Sequence, residues 1–211
     1  MSKIIVKSQQ DIKDIETGLT KIDPNDTIEV AFGTIDNPAV ITNLKNVFVN
    51  GDHHLTAKGT SNVTAKDLAT VTLTDASHAS MHDNSSCFAF NESSVSFHDL
   101  SRGVLFDSSS GVFYTRNTCQ AQGHAKVTTR NHSIVQVSEF VEANAQDKSV
   151  VVAINDCKIT ATNKAHVVAK DKCKVKAYED ATVNAYGEAF VELYDNATAE
   201  TFDNSEAVKK T

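Results

Sequence analysis

An eight-residue period runs without insertion from Asn37 to Asn204, twenty-one consecutive octads, and constrains the fold more than any other feature of the chain. Its clearest stretch reads CKVKAYED (173 to 180), ATVNAYGE (181 to 188), AFVELYDN (189 to 196) and ATAETFDN (197 to 204). The first position of each octad is small (Ser77, Ser85, Ala165), the third is Val or another apolar residue (Val63, Val71, Val183), and the fifth is Ala or larger (Leu73, Phe97, Ala161). Residues at i, i+2 and i+4 of a strand share one face, so these positions line an interior. The second, fourth and sixth positions are mostly Thr, Ser, His, Lys, Gln and Asn and face outward. The seventh is Asp, Asn or Gly almost throughout, as at Asp67, Asp75, Asn91, Gly123, Asn163, Asp195 and Asp203. These residue types tolerate a left-handed backbone and make local turns, so the chain rounds a corner every eight residues.

A strand and a corner, repeated without helices, bury their apolar edges only by stacking coils. An apolar period of two rather than 3.6 excludes a helical repeat. The expected fold is all-β, a parallel β-helix or β-solenoid. Either two or three octads could complete a coil. Three is the expectation, because outward histidines then avoid one face. His54, His78, His82 and His132 share one side and His98, His124 and His166 another, while Phe88, Phe90, Val112, Tyr114 and Ile134 gather on the third. Before the repeat, residues 1–36 read as an N-terminal cap. It comprises a strand at Ile4 to Val6, a helix N-cap at Ser8, an amphipathic helix carrying Ile12, Ile15 and Leu19, and a strand from Thr27 to Phe32. Residues 37–204 form the solenoid and residues 205–211 a tail too short for a capping helix, in one structural domain. Lys209 and Lys210 of that tail either guard the open edge by charge or leave the last coil to meet another copy.

Composition narrows the function classes. The formal net charge of −7 argues against non-specific binding to nucleic acid or anionic membranes, whose affinity comes from Lys and Arg meeting phosphate. No apolar run has signal-peptide or membrane-helix length, so the expected location is the cytoplasm of the producing or infected bacterial cell. Cys87, Cys119, Cys157 and Cys173 lack metal-site spacing and fall at interior positions, as buried free thiols.

The opening IIVKSQQDI, the later NDTIEVAFGT and the entry into coils resemble the start of right-handed parallel β-helix proteins of the pectin-lyase-like kind. The octads, of the form ATVxAYGx, resemble the octapeptide-repeat β-solenoid proteins often encoded in bacterial prophages. The first resemblance implies polysaccharide cleavage, which needs carboxylates converging on an outer face. Between Asn37 and Phe140, however, the outward positions carry no Asp or Glu, and the later Glu142, Glu192 and Glu200 are far apart. The glycine-rich nonapeptide of repeat-type calcium sites is absent. No catalytic, cofactor or metal residue is assigned.

Two outward features stand above this background. With three octads per coil, His54, His78, Arg102 and Lys126 stack at the second position of one face, beside Lys58, His82 and Arg130 at the sixth, forming a basic strip suited to a phosphate or an acidic partner. Aromatic residues form the other: Phe88, Phe90, Phe106 and Tyr114 midway, then Tyr178, Tyr186, Tyr194 and Phe202 at the sixth position of four successive octads, a candidate C-terminal interface. The expectation is a non-enzymatic binding protein, a rigid solenoid presenting side chains to a protein partner. The prophage resemblance implies an inhibitor of a host defence component. The alternative is a virion spike or fibre segment; ice binding through Thr56, Thr64 and Thr72 and polysaccharide cleavage rank below both.

Overall fold

The structure is a computed structural model that describes residues 2–210. It is an all-β parallel β-solenoid of about eleven turns of roughly sixteen residues, in two parallel sheets, with one short helix. Two octads therefore complete a coil, and the three-faced expectation is corrected. Strand His78–Met81 pairs with Asn62–Ala65 on one side and Ser94–Phe97 on the other, so that His78 lies level with Asn62 and Ser94. Partners sixteen residues apart place residues eight or twenty-four apart on opposite sheets.

The chain divides into two compact units, Met1–Gly103 and Val104–Thr211. In the first unit, sheet A contains Lys3–Val6, Thr27–Val30, Val47–Val49, Asn62–Ala65, His78–Met81 and Ser94–Phe97. Sheet B contains Ala39–Thr42, His54–Lys58, Thr70–Leu73 and Ser86–Ala89. In the second unit, strands from Ser110–Phe113 to Glu206–Lys209 alternate between the same two sheets. The interior is thin and closely filled: Val63, Val71, Ala79, Val167, Val183 and Ala185 lie within about one per cent of full burial. Large residues are accommodated by small ones. A Cβ added to Gly103 would meet the buried Phe97 ring at 2.1 Å, and one added to Gly111 would meet Leu105 at 2.7 Å.

Corners explain the seventh position. Asp67, Asp75, Asn163 and Asp203 have φ between 57° and 60°, a region in which Asn and Asp are enriched. Their carboxylates also act between coils. The Gly59 N–H donates to Asp75 Oδ2 at 2.9 Å, Asn155 N–H to Asp171 Oδ2 at 3.2 Å, and Gly187 N–H to Asp203 Oδ2 at 3.2 Å. Glu139 and Glu179 take the same left-handed conformation, and their carboxylates accept from Gly123 and Asn163 N–H groups. At the first position, buried serine hydroxyls close the corner. Ser61, Ser77, Ser93 and Ser133 donate at 2.7 Å to the carbonyl three residues before.

The cap forms as a strand Lys3–Val6, a helix Gln9–Glu16 with a Ser8/Asp11 capping box, and a strand Thr27–Val30. Ile12 and Ile15 are buried, whereas Leu19 lies beyond the helix and is 79% exposed, which corrects its assignment to the apolar stripe. The helix seals sheet B through side chains. Gln9 Nε2 donates to the Val40 carbonyl at 2.7 Å, Val40 N–H donates to Gln9 Oε1 at 2.9 Å, and Thr42 N–H donates to Glu16 Oε1 at 2.6 Å. At the other end the expected tail contains a further strand, Glu206–Lys209, paired with Phe190–Leu193; Met1 and Thr211 lie outside the described residues. Lys209 occupies an inward register position opposite Leu193, and its ammonium donates to the Asp195 carbonyl.

Candidate binding surfaces

The sixteen-residue coil dismantles the basic strip. His54 and Lys58 stand on sheet B of the first unit, in strand His54–Lys58, whereas His78 and His82 belong to sheet A, in and just after His78–Met81. Arg102 begins sheet-B strand Arg102–Leu105; Lys126 and Arg130 follow sheet A of the second unit. Spacing by twenty-four alternates faces, so the seven cations form no common row. The histidine segregation fails for the same reason, and Val112 on sheet A separates from Phe88 and Ile134 on sheet B. Arg130 lies over the Tyr114 ring at 5.4 Å.

The aromatic row also divides. Tyr178 stacks on Tyr194 at one corner, with ring centroids 4.5 Å apart, and Tyr186 stacks on Phe202 at the opposite corner, 4.7 Å apart. Each ring covers its equivalent one coil away, an arrangement that protects the corner. Phe88 is 40% exposed on the outer side of sheet B, while Phe90 and Phe106 occupy sixth positions at the corner leaving that sheet.

Histidine chemistry concentrates on sheet A of the first unit. Ser80 Oγ lies 3.0 Å from His82 Nε2, and His82 Nδ1 lies 3.6 Å from Asp99 Oδ2. The same Asp99 oxygen accepts the Asp83 N–H at 3.3 Å, and His98 stacks on His82 with ring centroids 4.7 Å apart. This order of contacts resembles a nucleophile, base and orienting acid. Ser80, however, lies within the strand His78–Met81, which is paired on both sides, so ladder bonding engages its backbone surroundings. An acyl-transfer site also needs preorganised donors directed at the developing oxyanion. The contacts instead fix the outer face: burial holds the His98 pKa below its ordinary value, with the His82 charge adding to the effect. His78, bonded through Nδ1 to Ser94 Oγ at 2.8 Å, is lowered chiefly by burial.

Two surfaces of the second unit escaped the sequence reading. On the outer side of sheet B, Ile134, Val150, Val152, Ile154 and Val168 form a contiguous aliphatic patch, joined in register as Ile134↔Val150 and Val152↔Val168. Ile134 is 53% exposed. From Thr118 to Tyr186 the outward positions of this sheet carry no carboxylate; Gln120, Gln136, Ser138, His166, Lys170, Thr182 and Asn184 surround the patch. The overlooked signal was VVVAIN at Val150–Asn155, which is apolar on both strand faces rather than alternating. On the outer side of sheet A, a groove of about 600 Å³ runs from Glu142 to Glu192, past Lys158, Lys174, Lys176 and Phe190.

All four cysteines are free and buried. Cys157 and Cys173 interact one coil apart; that interaction, with burial, pushes the Cys157 thiol up, while it holds Cys173 below the usual thiol range against the opposing effect of burial. Among the described residues no group of His, Cys, Asp and Glu is arranged to hold a metal ion, and no helix is long and apolar enough to cross a membrane. No family model, curated protein or solved structure matches this chain.

Proposed function

We propose that this protein is a non-enzymatic interaction protein whose outer sheet-B face in residues 104–211 binds a macromolecular partner, most simply another protein. The aliphatic patch of Ile134, Val150, Val152, Ile154 and Val168, on a stretch of that face whose outward positions carry no carboxylate from Thr118 to Tyr186, carries this reading. An apolar centre with a polar rim of amides, hydroxyls, His166 and Lys170 has the anatomy of a protein interface, and contiguous exposed apolar surface commonly marks such sites. The chain's net charge of −7 is carried elsewhere, largely at corners, so desolvating this face strands no carboxylate. The octad resemblance extends the proposal to a phage-encoded inhibitor acting in the bacterial cytoplasm, with a component of a host defence system as partner.

Affinity capture from a bacterial lysate with wild-type protein and with Val152→Lys tests the face. A protein retained by wild type and by Phe88→Ala, but lost from Val152→Lys, is the expected result. Retention that ignores Val152 would sink the proposal. Light scattering on the purified chain addresses the alternative of a virion spike. Strand pairing at sixteen residues within one chain supports a self-closed coil, with an expected mass near 22.8 kDa; a stable trimer would favour the spike.

A further inference from the structure

The groove on sheet A of the second unit combines two features that an ordinary solvated sheet face avoids. Lys158 and Lys174 stand directly level on neighbouring strands, and Lys176 shares the Lys174 strand and its outer face. Like charges placed opposite one another across a parallel pair, about 4.8 Å apart, are destabilising. Neighbouring carboxylates only partly offset this arrangement. Glu142 lies 3.6 Å from Lys158, while Glu192 is shared between Lys176 at 3.6 Å and Lys210 at 3.5 Å. Among the described residues Lys174 makes no ion pair. Four ammonium groups thus share this face with three carboxylates, Glu142, Glu192 and, beyond Phe190, Glu206, on a chain whose net charge is −7.

The next residue in the Lys158 and Lys174 column is Phe190, level with Lys174 on the following strand. A flat ring placed against Phe190 therefore brings an anionic substituent over Lys174, within reach of Lys158 and Lys176. Thr160 and Asn144 supply hydrogen-bonding groups along the same groove. Its volume of about 600 Å³ suits a ligand of mononucleotide size.

We propose that this groove binds a phosphorylated aromatic metabolite of the nucleoside monophosphate class, the phosphate on Lys158, Lys174 and Lys176 and the ring on Phe190. The phosphate relieves the lysine column, and charge-assisted hydrogen bonds from ammonium groups are stronger than neutral ones. The ring supplies stacking energy that inorganic phosphate lacks. This inference is independent of the protein-binding face, which lies on the other sheet.

Titration of the full-length chain at low salt with adenosine monophosphate, adenosine and inorganic phosphate, followed by calorimetry or amide chemical shifts, tests it. The expected order is adenosine monophosphate tightest, with Lys174→Gln weakening it about tenfold, an amount equivalent to one charge-assisted contact. Phe190→Ala should weaken the nucleotide while leaving inorganic phosphate unchanged, and Val152→Lys should leave both unchanged. Equal binding of nucleotide and inorganic phosphate, indifference to Lys174→Gln, or no binding at all would each overturn the proposal. Thermal melts of the variants separate a lost contact from a lost fold.

Discussion

The seventh residue of each octad satisfies two requirements that a single substitution can separate. Asp171 takes a left-handed backbone, with φ of 57°, and its carboxylate accepts the Asn155 N–H at 3.2 Å. Asp171→Gly keeps the conformation and loses the bond, whereas Asp171→Ala loses both. Denaturant titration should show the glycine variant less stable by about 1 kcal/mol and the alanine variant less stable still, by about 1 kcal/mol more for the strained backbone. Glu139 and Glu179 show why the sequence rule was incomplete. A left-handed preference alone does not predict Glu, but a carboxylate reaching the neighbouring coil does. Interior packing gives a second test. Gly103→Ala drives a methyl into the Phe97 ring, so its melting temperature should fall, corresponding to about 1–3 kcal/mol of overpacking. Adding Phe97→Leu should recover part of the loss; a double mutant no better than the single would refute the steric account.

Strands and the helix were legible at their own scale because the period of two, the corner residues and the Ser8 cap are local signals. The number of octads per coil was not. Nearly every corner uses a left-handed residue, and whether successive corners close two faces or three depends on how opposing strands pack, which no single octad encodes. His54 and His78 were assigned to one face on a spacing of twenty-four, and the whole basic strip rested on that choice. Two consequences belong to the elements. On sheet A of the first unit, burial lowers the pKa values of His78 and His98 relative to the unfolded chain. The unfolded state therefore takes up protons first as pH falls through the ordinary histidine value of about 6.5. The stability that the neutral histidines contribute is complete above that pH and declines below it. Melting temperature should drop between pH 7.5 and 5.5, and His98→Gln should flatten the profile. On sheet B, the Gln9 side-chain amide substitutes for a neighbouring strand against Val40. Gln9→Ala exposes those backbone groups, so self-association measured by sedimentation should rise with concentration in the variant and not in wild type.

Across the whole molecule, the four thiols Cys87, Cys119, Cys157 and Cys173 are buried at the first and third octad positions. Burial pushes Cys87 far above the usual thiol range. Native protein should therefore react with a thiol reagent only as fast as the coils open, with all four sites becoming reactive together in denaturant. Rapid labelling of any one under native conditions would reveal a locally open coil. The corner bonds also have a direction. In those made by the corner carboxylates, an earlier coil donates its N–H and the coil sixteen residues later supplies the accepting oxygen, as from Gly59 to Asp75 and from Gly187 to Asp203. A growing chain leaving the ribosome cannot complete these carboxylate bonds of one coil until the next has emerged. Loss of a late coil would then strip the lock from the coil before it, as with a ratchet whose pawl is always carried by the following tooth.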